Sequence, residues 1–309
     1  MCLAGLLLAA CMSLASGCGG GGSSVSTAST SSASSSRAIP QVSHVIVLVA
    51  ENHAYGSVIG NPMMPYTNSL AQKYALASGY YANTHPSLPN YFMLTVGVPT
   101  ALDDTFAGTV TSDNVVRALT TAGKTWKMYA ESLPSIGYLG PTSVPYAREH
   151  NPFVYFSDVL TSSTQAANIV PISQLALDLQ NGTLPDYSMI VPNLTNDGHN
   201  CPGGASSCTD QQKLANVDNW VQSNLAPLIS NPVFQSSVLI YTWDESVFSD
   251  LTNGGGHVAT ILAGPTVLAG HQSTNLYQHQ STLRLSMQLL GVSDFPGAAS
   301  SAPDMSEFF

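Results

Sequence analysis

Val45-Ile-Val-Leu-Val49 constrains the fold more than any other segment: five consecutive apolar residues, four of them β-branched. A strand with one wet face alternates apolar and polar residues. An unbroken run has to be buried on both faces, as in a parallel sheet covered by helices. Ser188-Met-Ile-Val191 and Val238-Leu-Ile-Tyr-Thr242 share this character, and Thr260-Ile-Leu262 does so more weakly. Helical patterns lie between them, from Thr67 to Ala77, Asn114 to Ala122, Gln211 to Leu228 and Ser281 to Leu290. Strands alternating with helices predict an α/β fold: a single domain with a mainly parallel central sheet and helices on both faces.

Composition narrows the function. The 309 residues include 8 Lys+Arg against 18 Asp+Glu, a formal net charge of −10. That balance lacks the basic face that a nucleic-acid or anionic-membrane binder needs, so no nucleic-acid partner is expected. Leu3 to Leu14 is an apolar run too short to span a bilayer and reads as the core of a signal peptide. The first basic residue is Arg37, so the usual positive flank is missing, as it would be if the true start lay upstream. Leu14-Ala-Ser-Gly-Cys18, followed by a Gly/Ser/Thr tract, resembles a bacterial lipoprotein signal with Cys18 as the lipidated residue. Leu8-Ala-Ala-Cys11 fits the pattern but has no tether directly after it, and plain secretion with cleavage near Ala15 to Gly17 is the alternative. The expected division is a signal peptide at 1–18, a flexible linker at 19–39 and a catalytic domain at 40–309. The protein is then exported, either anchored to the cell envelope through Cys18 or secreted. Three of the five cysteines lie in this leader. Cys201 and Cys208 remain, closing a Gly/Ser-rich loop. They are expected to form a disulfide that positions His199, with a metal site as the alternative.

The residues just after each strand carry the chemistry, because ligands of open α/β sheets bind beyond the carboxyl ends of the strands. Glu51 and Asn52 come after the first run, then Asn193, Asn196, Asp197 and His199 after the second, and Asp244 and Glu245 after the third. Converging on one rim, they point to an oxygen-rich metal site. Thr84-His-Pro-Ser-Leu-Pro-Asn-Tyr91 precedes an apolar helical run, and Pro89 suits a first helical turn. Ser87 would sit at the helix N-terminus, where free N–H groups and the helix dipole favour an anion such as phosphate, unless its hydroxyl only caps the helix.

His44-Val-Ile-Val-Leu-Val-Ala-Glu51-Asn52, His85-Pro-Ser-Leu-Pro-Asn-Tyr91, His150-Asn-Pro-Phe153, Ile190-Val-Pro-Asn-Leu-Thr-Asn-Asp-Gly-His199, Thr242-Trp-Asp-Glu245 and Tyr277-Gln-His279 stand in one order along residues 44–309. In these motifs the chain resembles the bacterial phosphoesterase family of secreted acid phosphatases and phospholipases C, within the alkaline phosphatase superfamily. The resemblance implies that Ser87 is the nucleophile that takes up the phosphoryl group. It implies that Glu51, Asn52, Asp244 and Glu245 hold a divalent cation, one rather than two, of open identity. His150 and His199 match histidines near the substrate, and a histidine could protonate the leaving alkoxide. Asn90 falls where an amide contacts a phosphate oxygen, and His257 is a further polar contact. The substrate is expected to be a small phosphate ester or a phospholipid head group. A phosphomonoesterase is the leading expectation. A phospholipase C-type phosphodiesterase and a non-catalytic surface binding protein are the alternatives. A sulfatase does not fit, since Ser87-Leu-Pro-Asn-Tyr91 ends in Tyr rather than Arg. His53 and His85 read as surface residues, His271 and His279 as structural ones, and Asp103-Asp104 as a solvated turn.

Overall fold

β1 (His44–Ala50) runs through the centre of the sheet, parallel to both its neighbours, β5 (Tyr187–Val191) and β6 (Ser237–Trp243). Every residue of β5 and β6 is buried, as is all of β1 beyond His44, so both faces of this sheet are covered. This is the structural meaning of the unbroken apolar runs. The remaining strands are β2 (Ala75–Ala77), β3 (Trp126–Ala130), β4 (Ile169–Pro171), β7 (Thr260–Ala263) and β8 (Gln272–Ser273). Together the eight strands lie in the order β4-β3-β5-β1-β6-β7-β2-β8. The structure is a computed structural model that describes residues 38–309. The expected leader at 1–18, Cys18 and the linker at 19–39 lie outside the described residues, apart from Ala38 and Ile39.

The sheet is mixed, because β7 runs antiparallel to both β6 and β2. Residues 244–259 between β6 and β7 contain no helix. A parallel return needs a crossover element, so without one the chain turns back antiparallel. The helix expected from Thr67 to Ala77 is shorter. It spans Pro65–Lys73, and Ala75–Ala77 is a buried strand. Alanine and leucine suit either state, and pairing with β7 and β8 decides for the strand. The other helical readings hold, at Val115–Thr121, Asp210–Ser230 and His279–Leu289. Asn114 caps the first by accepting from the Arg117 N–H, and Thr209 and Gln212 form a capping box on the second. Asp218, within Asp210–Ser230, accepts the backbone N–H groups of Tyr66 and Thr67. Those donors belong to the first turn of Pro65–Lys73 and have no partner within their own helix, so the carboxylate ties the two helices together. Among the described residues, no helix is long and apolar enough to cross a membrane.

The parallel strands set the site. Ala50 is registered with Trp243 across β1 and β6, and Leu48 with Ile190 across β1 and β5. The segments leaving these three strands therefore emerge side by side on one edge.

Candidate active site

Backbone hydrogen bonds join the three exits. The Glu51 N–H donates to the Asp197 carbonyl, and the Asp244 N–H to the Ala50 carbonyl, each at 2.9 Å. Asn52 adopts a left-handed backbone with φ 55°, a conformation asparagine tolerates better than most residues. Its N–H donates to Asp244 Oδ1 at 3.2 Å. Gly198 has φ 112°, and a Cβ there would lie 3.0 Å from the Glu51 carbonyl oxygen and 2.9 Å from the His53 ring. Only glycine allows the chain after Asp197 to approach Glu51 so closely. The turn carrying Asp197 is held from β3: Glu131 accepts the Asn193 N–H at 2.9 Å and the Asn196 amide at 2.9 and 3.0 Å.

Ser87 opens the helix Ser87–Thr95, whose residues are all buried. Its hydroxyl donates to Glu51 Oε2 at 3.0 Å. The other Glu51 oxygen, Oε1, accepts from the Tyr91 hydroxyl. His150 Nδ1 lies 3.4 Å from Glu51 Oε1 and 3.4 Å from Asp197 Oδ2. On the other side, the Asn52 amide lies 3.1 Å from Glu245 Oε1 and 3.3 Å from Glu51 Oε2, and donates to both once its nitrogen is turned toward them. Glu245 also meets His85 Nδ1 at 2.8 Å, and His85 Nε2 meets the Asp250 carbonyl at 2.9 Å. Asp104 Oδ1 accepts the Leu88 N–H at 2.8 Å, at the N-terminus of the Ser87 helix.

Burial dominates the electrostatics. It drives the Glu51 carboxyl well above its ordinary pKa, and the nearby charges of Asp244 and Asp197 push it further. Asp244 is raised chiefly by burial. Glu245 is pushed up to about 10 by burial, with Asp244 and Asp104 adding to it. For His150 burial opposes the charged form, but Asp197 and Asp244 outweigh it and the ring is raised. So many buried acids beside one another require protons or a cation. Glu51, His150 and Asp197 offer ligand atoms within 4.8 Å of one another. Asp197 Oδ2, Asp244 Oδ2 and His150 Nδ1 are buried without a hydrogen-bond partner. Carboxylate oxygens with one imidazole suit a divalent cation, and the residues present therefore fit one.

The fold thus brings together Glu51, Asn52, Asp244, Glu245, Ser87 and His150. Three expected contacts have local partners instead. His199 is exposed and its Nδ1 pairs with Asn200 Oδ1 at 3.0 Å, so Asp197 rather than His199 enters the cluster. Asn90 is fully buried and its amide is used locally: Oδ1 accepts from the N–H groups of Asn83 and Thr84, and Nδ2 donates to the carbonyls of Thr84 and Pro86. It shapes the turn before Ser87. His257 is stacked between Tyr55, at 4.3 Å, and Tyr81, at 4.7 Å, with Nε2 on the Ser78 carbonyl. Cys201 and Cys208 form the expected disulfide.

Asp197 is legible in the sequence as one of the rim residues, but three other contributors are not. Tyr91 looks like part of an apolar helix. His85 has the pattern of a surface residue, although its side chain is only 5% exposed. Asp104 lies in an exposed turn, as its pattern indicates, but that pattern does not show that it caps the Ser87 helix. The one available signal is the spacing of Ser87 and Tyr91, four residues apart on one helix face.

The Phosphoesterase family model matches residues 61–293. Phosphatidylinositol-3-phosphatase of Mycobacterium tuberculosis is 30% identical over 280 residues, covering 88% of this chain and 84% of that protein. A probable acid phosphatase of Kluyveromyces lactis is 32% identical over 250 residues, covering 77% of this chain and 55% of that one. The chain thus spans about half of that fungal relative and most of the mycobacterial one. Among solved structures, an alkaline phosphatase superfamily protein from Vibrio parahaemolyticus superposes with TM-score 0.60 at 14% identity, over 86% of this chain and 72% of that one. Lipoteichoic acid synthase LtaP from Listeria monocytogenes gives TM-score 0.61 at 10% identity, over 88% and 77%. At such identities the likeness concerns the fold.

Proposed function

The chain belongs to the phosphoesterase family, as a hydrolase of phosphoric ester bonds, and on that premise we propose that it is an exported, metal-dependent phosphomonoesterase working through a phosphoserine. One observation carries the reading: a hydroxyl at a helix N-terminus donates into a cluster of buried carboxylates that fits a divalent cation.

Ser87 Oγ attacks phosphorus while its proton moves toward Glu51 Oε2. The P–O bond to the alcohol breaks, and the leaving alkoxide takes up a proton. Glu245, buried beside Asp244 and paired with His85 Nδ1 at 2.8 Å, is the neighbouring group assigned to supply it. Water then displaces Ser87 Oγ from phosphorus and restores the hydroxyl. Glu51 and Asp244 of the expected set, joined by His150 and Asp197, are the residues that would hold the cation, while Asn52 and Glu245, the other two expected ligands, lie beside them and 3.1 Å from each other. When bound, it would make the hydroxyl more acidic and offset the charge gathering on the phosphoryl oxygens. Residues 40–309 form the catalytic domain in this reading. The Cys201–Cys208 bridge supports an oxidising compartment, and anchoring through Cys18 belongs to the same reading.

A phosphate ester on a lipid is the second reading. Phe248 and Leu251 are 75% and 69% exposed in the segment beyond Glu245, and Phe248 touches the His85 ring. The mycobacterial relative is itself named for a phosphoinositide substrate.

The test is Ser87→Ala, assayed on p-nitrophenyl phosphate, bis(p-nitrophenyl) phosphate and phosphatidylcholine. The wild type should favour the monoester. The variant should lose at least about 1,000-fold in kcat while melting within a few degrees of the wild type. Near-normal turnover by folded Ser87→Ala protein would remove Ser87 as nucleophile. Preferred cleavage of the diester or of phosphatidylcholine would replace the monoesterase reading with a phosphodiesterase.

A further inference from the structure

Tyr91 lies one helical turn beyond Ser87, so both side chains leave the same face of the helix Ser87–Thr95. Between them they take both oxygens of one carboxylate. Ser87 Oγ donates to Glu51 Oε2 and the Tyr91 hydroxyl donates to Glu51 Oε1. The Tyr91 ring also lies against His150, with centroids 5.5 Å apart and planes at 18°. Glu51 and Tyr91 are both 0% exposed, so no solvent competes for this bond. Thr95 Oγ1 donates to the Tyr91 carbonyl at 2.7 Å, adding a side-chain bond one turn further along the helix. One residue thus fixes the plane of Glu51 and the tilt of His150, the two groups whose ligand atoms converge with that of Asp197.

We propose that Tyr91 is a positioning residue that sets the affinity of the Glu51–His150–Asp197 cluster for a divalent cation, a role that rests on the reading that this cluster holds one. Hydrogen-bond partners behind metal ligands commonly act in this way, by orienting the ligand atom before the ion arrives. Phenylalanine at 91 would keep the ring and its stacking on His150. It would leave Glu51 Oε1 buried without its donor and free the carboxylate to rotate.

Tyr129 is the control. It is equally buried, and its hydroxyl donates at 2.6 Å to Asp178, outside the cluster. The experiment titrates Mn2+ alone into chelator-stripped full chain by isothermal calorimetry, for wild type, Tyr91→Phe and Tyr129→Phe. Apo melting temperatures are measured alongside. Tyr91→Phe should weaken the Mn2+ Kd by about 10- to 100-fold. Tyr129→Phe should leave the Kd within about twofold while lowering the melting temperature, since it strips a donor from a buried carboxylate. At saturating Mn2+ the kcat of Tyr91→Phe should recover toward that of the wild type. Wild-type affinity in Tyr91→Phe overturns the inference and leaves the metal reading intact. An equal loss in both variants also overturns it, since the effect would then be general loosening. A wild type that binds no Mn2+ overturns the inference together with the metal reading beneath it.

Discussion

Glu51 is the residue on which the site turns. Its two oxygens receive Ser87 and Tyr91, with His150 and Asp244 crowding around it, all buried, and half-buried Asn52 beside them. A wholly buried carboxyl among other acids would keep its proton, and a cation is what lets it stay ionised. Removing its charge should therefore weaken metal binding directly. Glu51→Gln and Asp244→Asn are expected to lower bound metal, read by elemental analysis, by at least about tenfold in affinity. Chelator treatment of the wild type should mimic them, with activity restored by adding a divalent ion. Full activity in a chelated, metal-free sample would rule out the metal mechanism.

At the scale of elements, the short loop closed by Cys201 and Cys208 is separable from the chemistry. The bridge is expected from the sequence to position His199, but that ring is exposed and paired with Asn200. Asp197, which does enter the cluster, is fixed by its backbone contacts to Glu51 and Asn193, by the Glu131 network behind its turn and by the His199 N–H, which donates to its Oδ1 at 2.8 Å. A loop this small adds only about 2–3 kcal/mol when cross-linked. Replacing both cysteines with serine should lower the melting temperature by several degrees and leave kcat within about twofold. A large fall in kcat at an unchanged melting temperature would return the bridge to the active site. The Ser87 helix behaves differently. Its start is shaped by Asn90 and capped by Asp104, so nucleophile placement depends on contacts from outside the helix as well as within it.

For the whole molecule, acid should act through buried carboxylates far from the site as well as through those in it. Asp178 is 2% exposed. Lys127 Nζ and the Tyr129 hydroxyl each donate to it at 2.6 Å, and Gln174 and Thr183 add two more bonds. Burial alone would raise this carboxyl, but the donors outweigh it and hold the group below the usual aspartate range. A depressed carboxyl contributes stability that is complete above its unfolded value of about 4 and is lost as pH falls through the lower folded value. Melting temperature should therefore drop from about pH 4 downward, and Asp178→Asn should be less stable at pH 6 with a shallower acid slope. Parallel wild-type and variant curves between about pH 6 and pH 3 would exclude Asp178 as a contributor.

The sequence alone determined the buried strands β1, β5 and β6 and most of the long helices, because runs and periods of apolar residues record burial directly. It also determined which segments carry the chemistry, since the residues after parallel strands share one edge whatever else the fold does. The tertiary structure decided what local pattern does not encode. Pairing beside β7 and β8 made Ala75–Ala77 a strand, and the helix-free connection after β6 turned β7 antiparallel. It also chose the members of the site. Asp197, not His199, reaches Glu51 because Gly198 lets the backbone pass close by, whereas Asn90 and His257 are used by their own surroundings. Those choices depend on distances between residues far apart in the chain, and such distances exist only after the sheet has closed.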